Sequence, residues 1–377
     1  MNAHSTQNYN VLLAASLVSM VLGSIHAFSV LMGPFEVTLG ASRATVSLIY
    51  SFALVFLTLS VLLGPLLYAR FRPVQLYLCV AILGGAGLWV ASLGQSLWVI
   101  FVGYSFVFGT ANGLGYGFGL QFAARANPTR AGLAMGVVTA AYALGAVLAP
   151  YGFELALRYR DVSFALMFLG GVVLAAGVLA AALVAQSGAA FSSDASKAKS
   201  SALPQQWIAI IWVAYGAGVA AGLMAIAHAA GIAEAAGFAG WIAAAVVAAS
   251  NLVGSLLCGW LSDRVLHRHL LVILPLVSAL GLVGLAYLPV LAVILLGTIG
   301  FTYGGAIATY PAAIAKRFPG EDGPRVYGRV FTAWGVAGLL APWFAGQVYD
   351  WGGSYAPALL IAAGLCSVSA VAARKAF

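Results

Sequence analysis

The sequence predicts an all-α integral membrane protein: twelve transmembrane helices in two six-helix pseudo-repeats. Three observations carry that prediction. Of the 377 residues, 63% are hydrophobic and only 7% are charged, against about 45–50% and about 25% in soluble domains. The 17 basic and 9 acidic side chains could not coat a soluble fold of this size. The apolar runs are continuous rather than alternating, which favours helices over a barrel. The 45 glycines suit closely approaching membrane helices, because small residues let backbones come near. The same composition excludes a soluble enzyme, a disordered chain, a disulfide scaffold and a coiled coil.

A bilayer crossing takes about 20 apolar residues, and twelve such runs follow in order. The first, 10–33, lacks a basic leader and is too long for the apolar core of a signal peptide, so it reads as a span. The second, 44–68, ends in a turn carrying Arg70 and Arg72. The third, 74–94, is set off by Pro73, a helix breaker. The fourth, 97–123, is glycine-rich and is followed by Arg125. The fifth and sixth, 131–156 and 162–186, flank Arg158, Arg160 and Asp161. The seventh and eighth are 206–229 and 238–261, and Pro289 splits the ninth, 270–288, from the tenth, 290–314. The eleventh and twelfth are 327–347 and 355–373.

Between the sixth and seventh spans lies the one compositionally distinct stretch, Ser187–Pro204, with its serines and with Asp194, Lys197 and Lys199. It reads as a flexible linker. The expected organisation is an N-terminal six-helix half (1–186), a cytoplasmic linker (187–204) and a C-terminal six-helix half (205–377).

Basic residues set the orientation. With the N-terminus inside, the inner segments hold Arg70, Arg72, Arg125, Arg130, Lys197, Lys199, Arg264, Arg268, Lys316, Arg317, Arg325, Arg329, Arg374 and Lys375. The outer loops hold Arg43, Arg158 and Arg160. This asymmetry satisfies the positive-inside rule. It predicts the cell's inner (plasma) membrane with both termini cytoplasmic, and it accounts for the net charge of +8 without nucleic acid. Cys79, Cys258 and Cys366 all fall inside spans without metal-ligand spacing, and read as packing residues.

The halves repeat one another. Gly64-Pro-Leu66-Leu-Tyr68-Ala-Arg70-Phe-Arg72 follows the second span, and Gly259-Trp-Leu261-Ser262-Asp263-Arg264-Val-Leu-His267-Arg268 follows the eighth. The second of these resembles the signature loop of major facilitator transporters, which implies conformational gating by Gly259, Asp263, Arg264 and Arg268. An Asp beside basic groups at a helix end can make charge-assisted bonds that break when halves rock. The first copy has Tyr68 in place of the Asp. Further motifs are Ser42-Arg43-x-x-Val46-Ser47-x-x-Tyr50, Arg130-x-Gly132-Leu-Ala134-x-Gly136, Asn251-x-x-Gly254, Tyr327-Gly328-x-x-x-Thr332-Ala333-Trp334-Gly335-x-x-Gly338 and Asp350-x-x-Gly353-Ser354-Tyr355. Together they resemble the oxalate/formate antiporter and monocarboxylate transporter branch of that superfamily. The resemblance implies the major facilitator fold and transport of small organic acid anions, coupled to protons or to exchange.

Two departures bear on the substrate. The resembled transporters carry an Arg after the glycine that is Gly254 here, where this chain has Ser255, and the oxalate exchangers carry a Lys at the position of Trp334. A dianion without counter-charge in a low-dielectric cavity is expensive. The expected substrate is therefore a monocarboxylate held by neutral donors, or a weakly charged or neutral solute.

Ionisable residues inside spans are functional candidates by default. His26 and His228 are the two that lie well within apolar runs, about 24 and 32 Å along their helices at 1.5 Å per residue. Histidine titrates near neutrality, so both are candidates for proton coupling or anion pairing; the bland alternative is a neutral, hydrogen-bonded packing histidine. The remaining substrate-binding candidates are Asn112, Tyr116, Tyr142, Tyr215, Asn251, Ser255, Tyr303 and Trp334. Asn112 and Tyr116 share a helix face, as do Asn251 and Ser255.

No catalytic constellation is present, and no cofactor or metal is expected. The chain is expected to be a monomeric secondary transporter of small organic acid anions, by proton symport or anion exchange, in contact with lipid and with no nucleic-acid partner. The alternatives are an exporter of drug-like or amphipathic solutes and a non-transporting membrane sensor.

Overall fold

The computed structural model describes residues 3–68, 70–127, 131–189, 205–262, 264–318 and 322–377. The regular elements among them are all helical. In chain order they are α1 (Ala3–Leu22), α2 (Phe28–Leu39), α3 (Arg43–Tyr68), α4 (Pro73–Ser92), α5 (Leu97–Ile100), α6 (Gly109–Ala126), α7 (Ala131–Tyr159) and α8 (Val162–Ser187). They continue with α9 (Gln205–Ala235), α10 (Gly240–Ser262), α11 (His267–Tyr287), α12 (Ala292–Arg317), α13 (Asp322–Gly352) and α14 (Ala356–Ala376). Eleven segments among the described residues are long and apolar enough to cross a membrane. The eleventh expected span falls in α13. That helix is 31 residues long, and its sequence holds four charged residues, Asp322, Arg325, Arg329 and Asp350. Large apolar side chains such as Leu280, Ile294 and Phe168 lie on the exterior, at 74%, 68% and 64% exposure; such a surface belongs in lipid rather than water.

Local chemistry sets many of the boundaries. Pro73 opens α4, where its missing N–H costs nothing. The Asp161 carboxylate accepts from Phe164 N at 2.8 Å and caps α8. Gly40, at φ 57°, turns the chain from α2 into α3. Two expected spans are not uniform helices. The first is interrupted by a 3₁₀ turn, Gly23–Ala27, and the fourth runs through a π-helical stretch, Phe101–Phe108, into α6. Most of the predicted linker, from 190 to 204, lies outside the described residues.

The chain divides into two compact units. One comprises Met1–Ile25 and Phe52–Lys197, the other His26–Ser51 and Ala198–Phe377. In the first unit α1 packs on α6, α7 and α8, and α4 lies along α8. In the second, α10 lies along α12 and α9 packs on α13 and α14. The segment His26–Ser51, which carries α2 and the start of α3, is thus compact with α9–α14, although the sequence repeat assigns it to the first half.

The repeat is visible in matching glycine contacts. A Cβ on Gly109 or Gly113 of α6 would meet the backbone of Ala53 or Leu57 of α3 at 2.7 and 2.1 Å. A Cβ on Gly300 or Gly304 of α12 would meet the backbone of Val247 or Asn251 of α10 at 2.3 and 2.0 Å. Each unit therefore brings corresponding helices to backbone contact, which a side chain would forbid.

Candidate functional site

In the first unit the candidates gather around the break in the first span. Ending α1 at Leu22 frees a carbonyl that needs a donor. Asn112 Nδ2 of α6 supplies it at 2.7 Å. The Asn112 Oδ1 in turn accepts from the Tyr142 hydroxyl of α7 at 2.9 Å, and the Tyr142 ring lies 4.8 Å from that of Tyr116. Asn112 is fully buried. Three predicted residues, Asn112, Tyr116 and Tyr142, thus form one polar cluster tying α1, α6 and α7 together.

The second unit holds the remaining described candidates. Trp334 of α13 donates from Nε1 to the Tyr303 hydroxyl of α12 at 2.8 Å. Phe331 stacks on Trp334 at 5.2 Å, and Tyr215 packs against Tyr310 at 4.7 Å, giving a largely buried aromatic group. Ser255 donates toward the Gly304 carbonyl at 3.1 Å and the Asn251 Oδ1 at 3.3 Å. The two positions where a cation was expected from the resemblance are therefore both occupied by neutral groups bonded to neutral partners. His26 sits in the 3₁₀ turn with Nδ1 2.8 Å from the Tyr50 hydroxyl.

His228 is fully buried in α9. Its Nε2 lies 2.8 Å from the Pro342 carbonyl oxygen of α13, and its Nδ1 lies 3.2 Å from the Tyr355 hydroxyl. From there a charged network extends that the candidate list did not contain. Arg43 Nη1 donates to Tyr355 Oη at 2.8 Å, and Nε and Nη2 form a two-pronged pair with Glu36. The guanidinium also lies 4.4 Å from the centre of the Tyr349 ring. Asp350 accepts from the backbone N–H groups of Arg43 and Ala44 at 3.1 and 2.8 Å, so its carboxylate caps the first turn of α3. Two glycines make room: a Cβ on Gly346 would meet Ala44 Cα at 2.8 Å, and one on Gly231 would meet Arg43 Nη1 at 2.8 Å. The signal in the sequence was the pair of motifs beginning at Ser42 and at Asp350, which hold Arg43, Asp350 and Tyr355 some 300 residues apart.

Of the gating residues, Asp263 lies outside the described residues. Arg264 stacks on the Trp260 ring at 3.9 Å and donates to the Trp260 carbonyl at 3.0 Å, Arg268 is exposed, and a Cβ on Gly259 would make only an ordinary contact with Ala308. Tyr68, in the degenerate first copy, is buried against Phe118 at 5.2 Å.

Comparison with known proteins now bears on these features. The profile of the Major Facilitator Superfamily matches residues 206–377. That match covers the C-terminal half of the chain. It is 24% identical over 343 residues to the uncharacterized MFS-type transporter YhjX of Escherichia coli (strain K12), covering 87% of this chain and 85% of that protein. It is likewise 24% identical over 354 residues to the oxalate:formate antiporter of Oxalobacter formigenes, covering 88% and 82%. Among solved structures, a bacterial homologue of the human lysosomal transporter Spinster superposes with a TM-score of 0.68 at 15% identity, covering 98% of this chain and 93% of that one. That likeness shows the fold alone. The chain is a multi-pass membrane protein, and its fold is that of the solved transporters it superposes on.

Proposed function

We propose that this protein is a Major Facilitator Superfamily transporter that carries small monocarboxylates by alternating access, coupled to a proton or to a second anion. The observation that carries the reading is the pairing of likeness and departure. The oxalate:formate antiporter resembles the chain over most of its length, which favours an organic acid substrate. Ser255 and Trp334 stand where that resemblance leads one to expect two cations, and both are spent on neutral partners within their unit. A monoanion can be met by the hydroxyl, amide and indole donors of such a lining when they exchange their present partners for it, whereas an unpaired dianion cannot be offset there. The substrate-facing groups under this reading are the Asn112–Tyr142–Tyr116 cluster, Asn251 with Ser255, and Tyr303 with Trp334. Tyr215 supports that aromatic group, and His26 and His228 supply the titratable positions. The protein sits in the cytoplasmic membrane with both termini inside, as the basic residues favour.

A second reading is export of amphipathic or drug-like solutes. The grouping of Tyr215, Tyr310, Phe331 and Trp334 favours it, because stacked aromatic faces hold planar apolar solutes.

Uptake into proteoliposomes decides between them. Labelled formate, acetate and lactate should be taken up saturably, with accumulation driven by an imposed pH gradient, and excess oxalate should compete poorly. Saturable oxalate uptake equal to that of the monocarboxylates would overturn the substrate reading. His26→Gln and His228→Gln should abolish gradient-driven accumulation and spare exchange; normal accumulation by both would remove the histidines from coupling.

A further inference from the structure

The hydrogen bonds around His228 run in one direction, and their ends fix that direction. The Pro342 carbonyl can only accept, so His228 Nε2, 2.8 Å away, carries its hydrogen. In the neutral ring Nδ1 is then an acceptor. The Tyr355 hydroxyl, 3.2 Å from Nδ1, must donate its single proton there. That leaves the Tyr355 oxygen to accept from Arg43 Nη1 at 2.8 Å, and a guanidinium can only donate. Donation therefore passes from Arg43 to Tyr355, to His228, to the Pro342 carbonyl, with every group satisfied.

A second proton on His228 breaks this chain in its middle. Both ring nitrogens would donate, so the Tyr355 oxygen would face two donors, its own hydrogen would lose its acceptor, and two cations would flank one hydroxyl. The network also performs a mechanical task. Glu36, Arg43 and the Asp350-capped first turn of α3 hold the α2–α3 turn against α9, α13 and the Tyr355 segment. That turn is compact with the later helices but belongs in sequence to the first six, so alternating access by the two sequence halves, as proposed above, has it come free in each cycle.

We propose that Glu36, Arg43, Asp350, Tyr355 and His228 form a latch on the α2–α3 turn, closed when His228 is neutral and released when His228 takes up a proton. The idea deepens the proton-coupled transport reading and names the step at which the proton acts; the latch itself can be tested without any substrate. The charged or titratable groups facing His228 are Arg43 and Glu36 from the α2–α3 segment, Asp350 and Tyr349 from α13, and Tyr355 ahead of α14; Glu234 lies further along α9 itself. Histidine is the side-chain type whose ordinary titration falls between pH 5 and 8.

The latch buries Ser47, which is fully inaccessible and lies where α13 approaches α3 at Gly346. The test uses S47C in the full chain with Cys79→Ser, Cys258→Ala and Cys366→Ala. Its rate of modification by a membrane-impermeant thiol reagent is divided by that of V37C, an exposed position, to remove the intrinsic pH dependence of thiols. Release by one proton predicts a ratio that is flat from pH 8 to 7. The ratio then rises up to tenfold per pH unit below about 6.5, or about thirtyfold in all by pH 5. His228→Gln keeps a donor for Pro342 and an acceptor for Tyr355, so it should hold the basal ratio of the neutral wild type, opening as often as that form does, and stay flat across the range. Tyr355→Phe cuts the relay and should be raised already at pH 8, without pH response. An unchanged wild-type ratio between pH 8 and 5 overturns the proposal, as does an undiminished response in His228→Gln. The wild-type titration decides the matter even where a variant does not fold. If the latch responds to pH while monocarboxylate uptake is absent, the substrate reading fails and the latch stands.

Discussion

Replacing Gly304 by Ala tests whether the helix pairs are held at backbone contact. The new methyl carbon would sit 2.0 Å from the Asn251 carbonyl oxygen and 2.4 Å from its Oδ1. Ordinary contacts begin near 3.4 Å, so α10 and α12 would have to part by more than about 1 Å along their closest line. Overpacking of that kind costs about 1–3 kcal/mol. It also pulls the Gly304 carbonyl away from Ser255. Gly364, in α14, is the control, since a Cβ there meets nothing within 4 Å. Gly364→Ala should gain up to about 1 kcal/mol from helix propensity alone. The two substitutions are chemically identical and differ only in what surrounds them. Thermal stability of detergent-solubilised protein, read as the fraction remaining monodisperse after heating, should fall for Gly304→Ala and hold or rise for Gly364→Ala. If Gly304→Ala is as stable as the parent, the close approach of α10 and α12 is wrong, and so is the repeat argument drawn from it.

Other expectations follow from single contacts. Asn112→Ala leaves the Leu22 carbonyl without its side-chain donor and the Tyr142 hydroxyl without its acceptor, which should cost about 1–3 kcal/mol per group left unpaired; the same heating assay reads it, and Asn112→Asp should rescue the Tyr142 bond alone. Asp350→Ala removes the cap from α3 and should cost about 0.5–2 kcal/mol, with raised accessibility at position 47 at every pH. Ser255→Arg combined with Trp334→Lys restores two cations, so oxalate should then compete with a labelled monocarboxylate; no gain in competition would separate these positions from substrate charge.

Some of this was legible in order along the chain. Span number and the paired halves depend on local composition, because each crossing must satisfy its own backbone in lipid. Pro73 and Pro289 marked boundaries for the same local reason. The faces shared by Asn112 and Tyr116, and by Asn251 and Ser255, followed from helical spacing alone. Other features had no local signature. The break at Gly23–Ala27 lies within a continuous apolar run, and it is met by Asn112 some 90 residues away, whose amide replaces the lost intrahelical donor. His228 was visible as an ionisable group in an apolar run, but its tautomer depends on Pro342 and Tyr355, which arrive from two later segments.

The sequence by itself determined that the chain crosses a membrane many times, that it is built as a repeat, and that its spans are poor in charge. Hydropathy is a sum over neighbours and needs no partner to be read. The tertiary structure alone decided where the few charges near the apolar core go. Arg43 and Glu36 are seven residues apart and readable as a pair, but Asp350 and Tyr355 lie more than 300 residues from Arg43. Their meeting depends on helix packing that Gly231 and Gly346 permit, and hydrogen-bond direction in such a network exists only once all its members are in place.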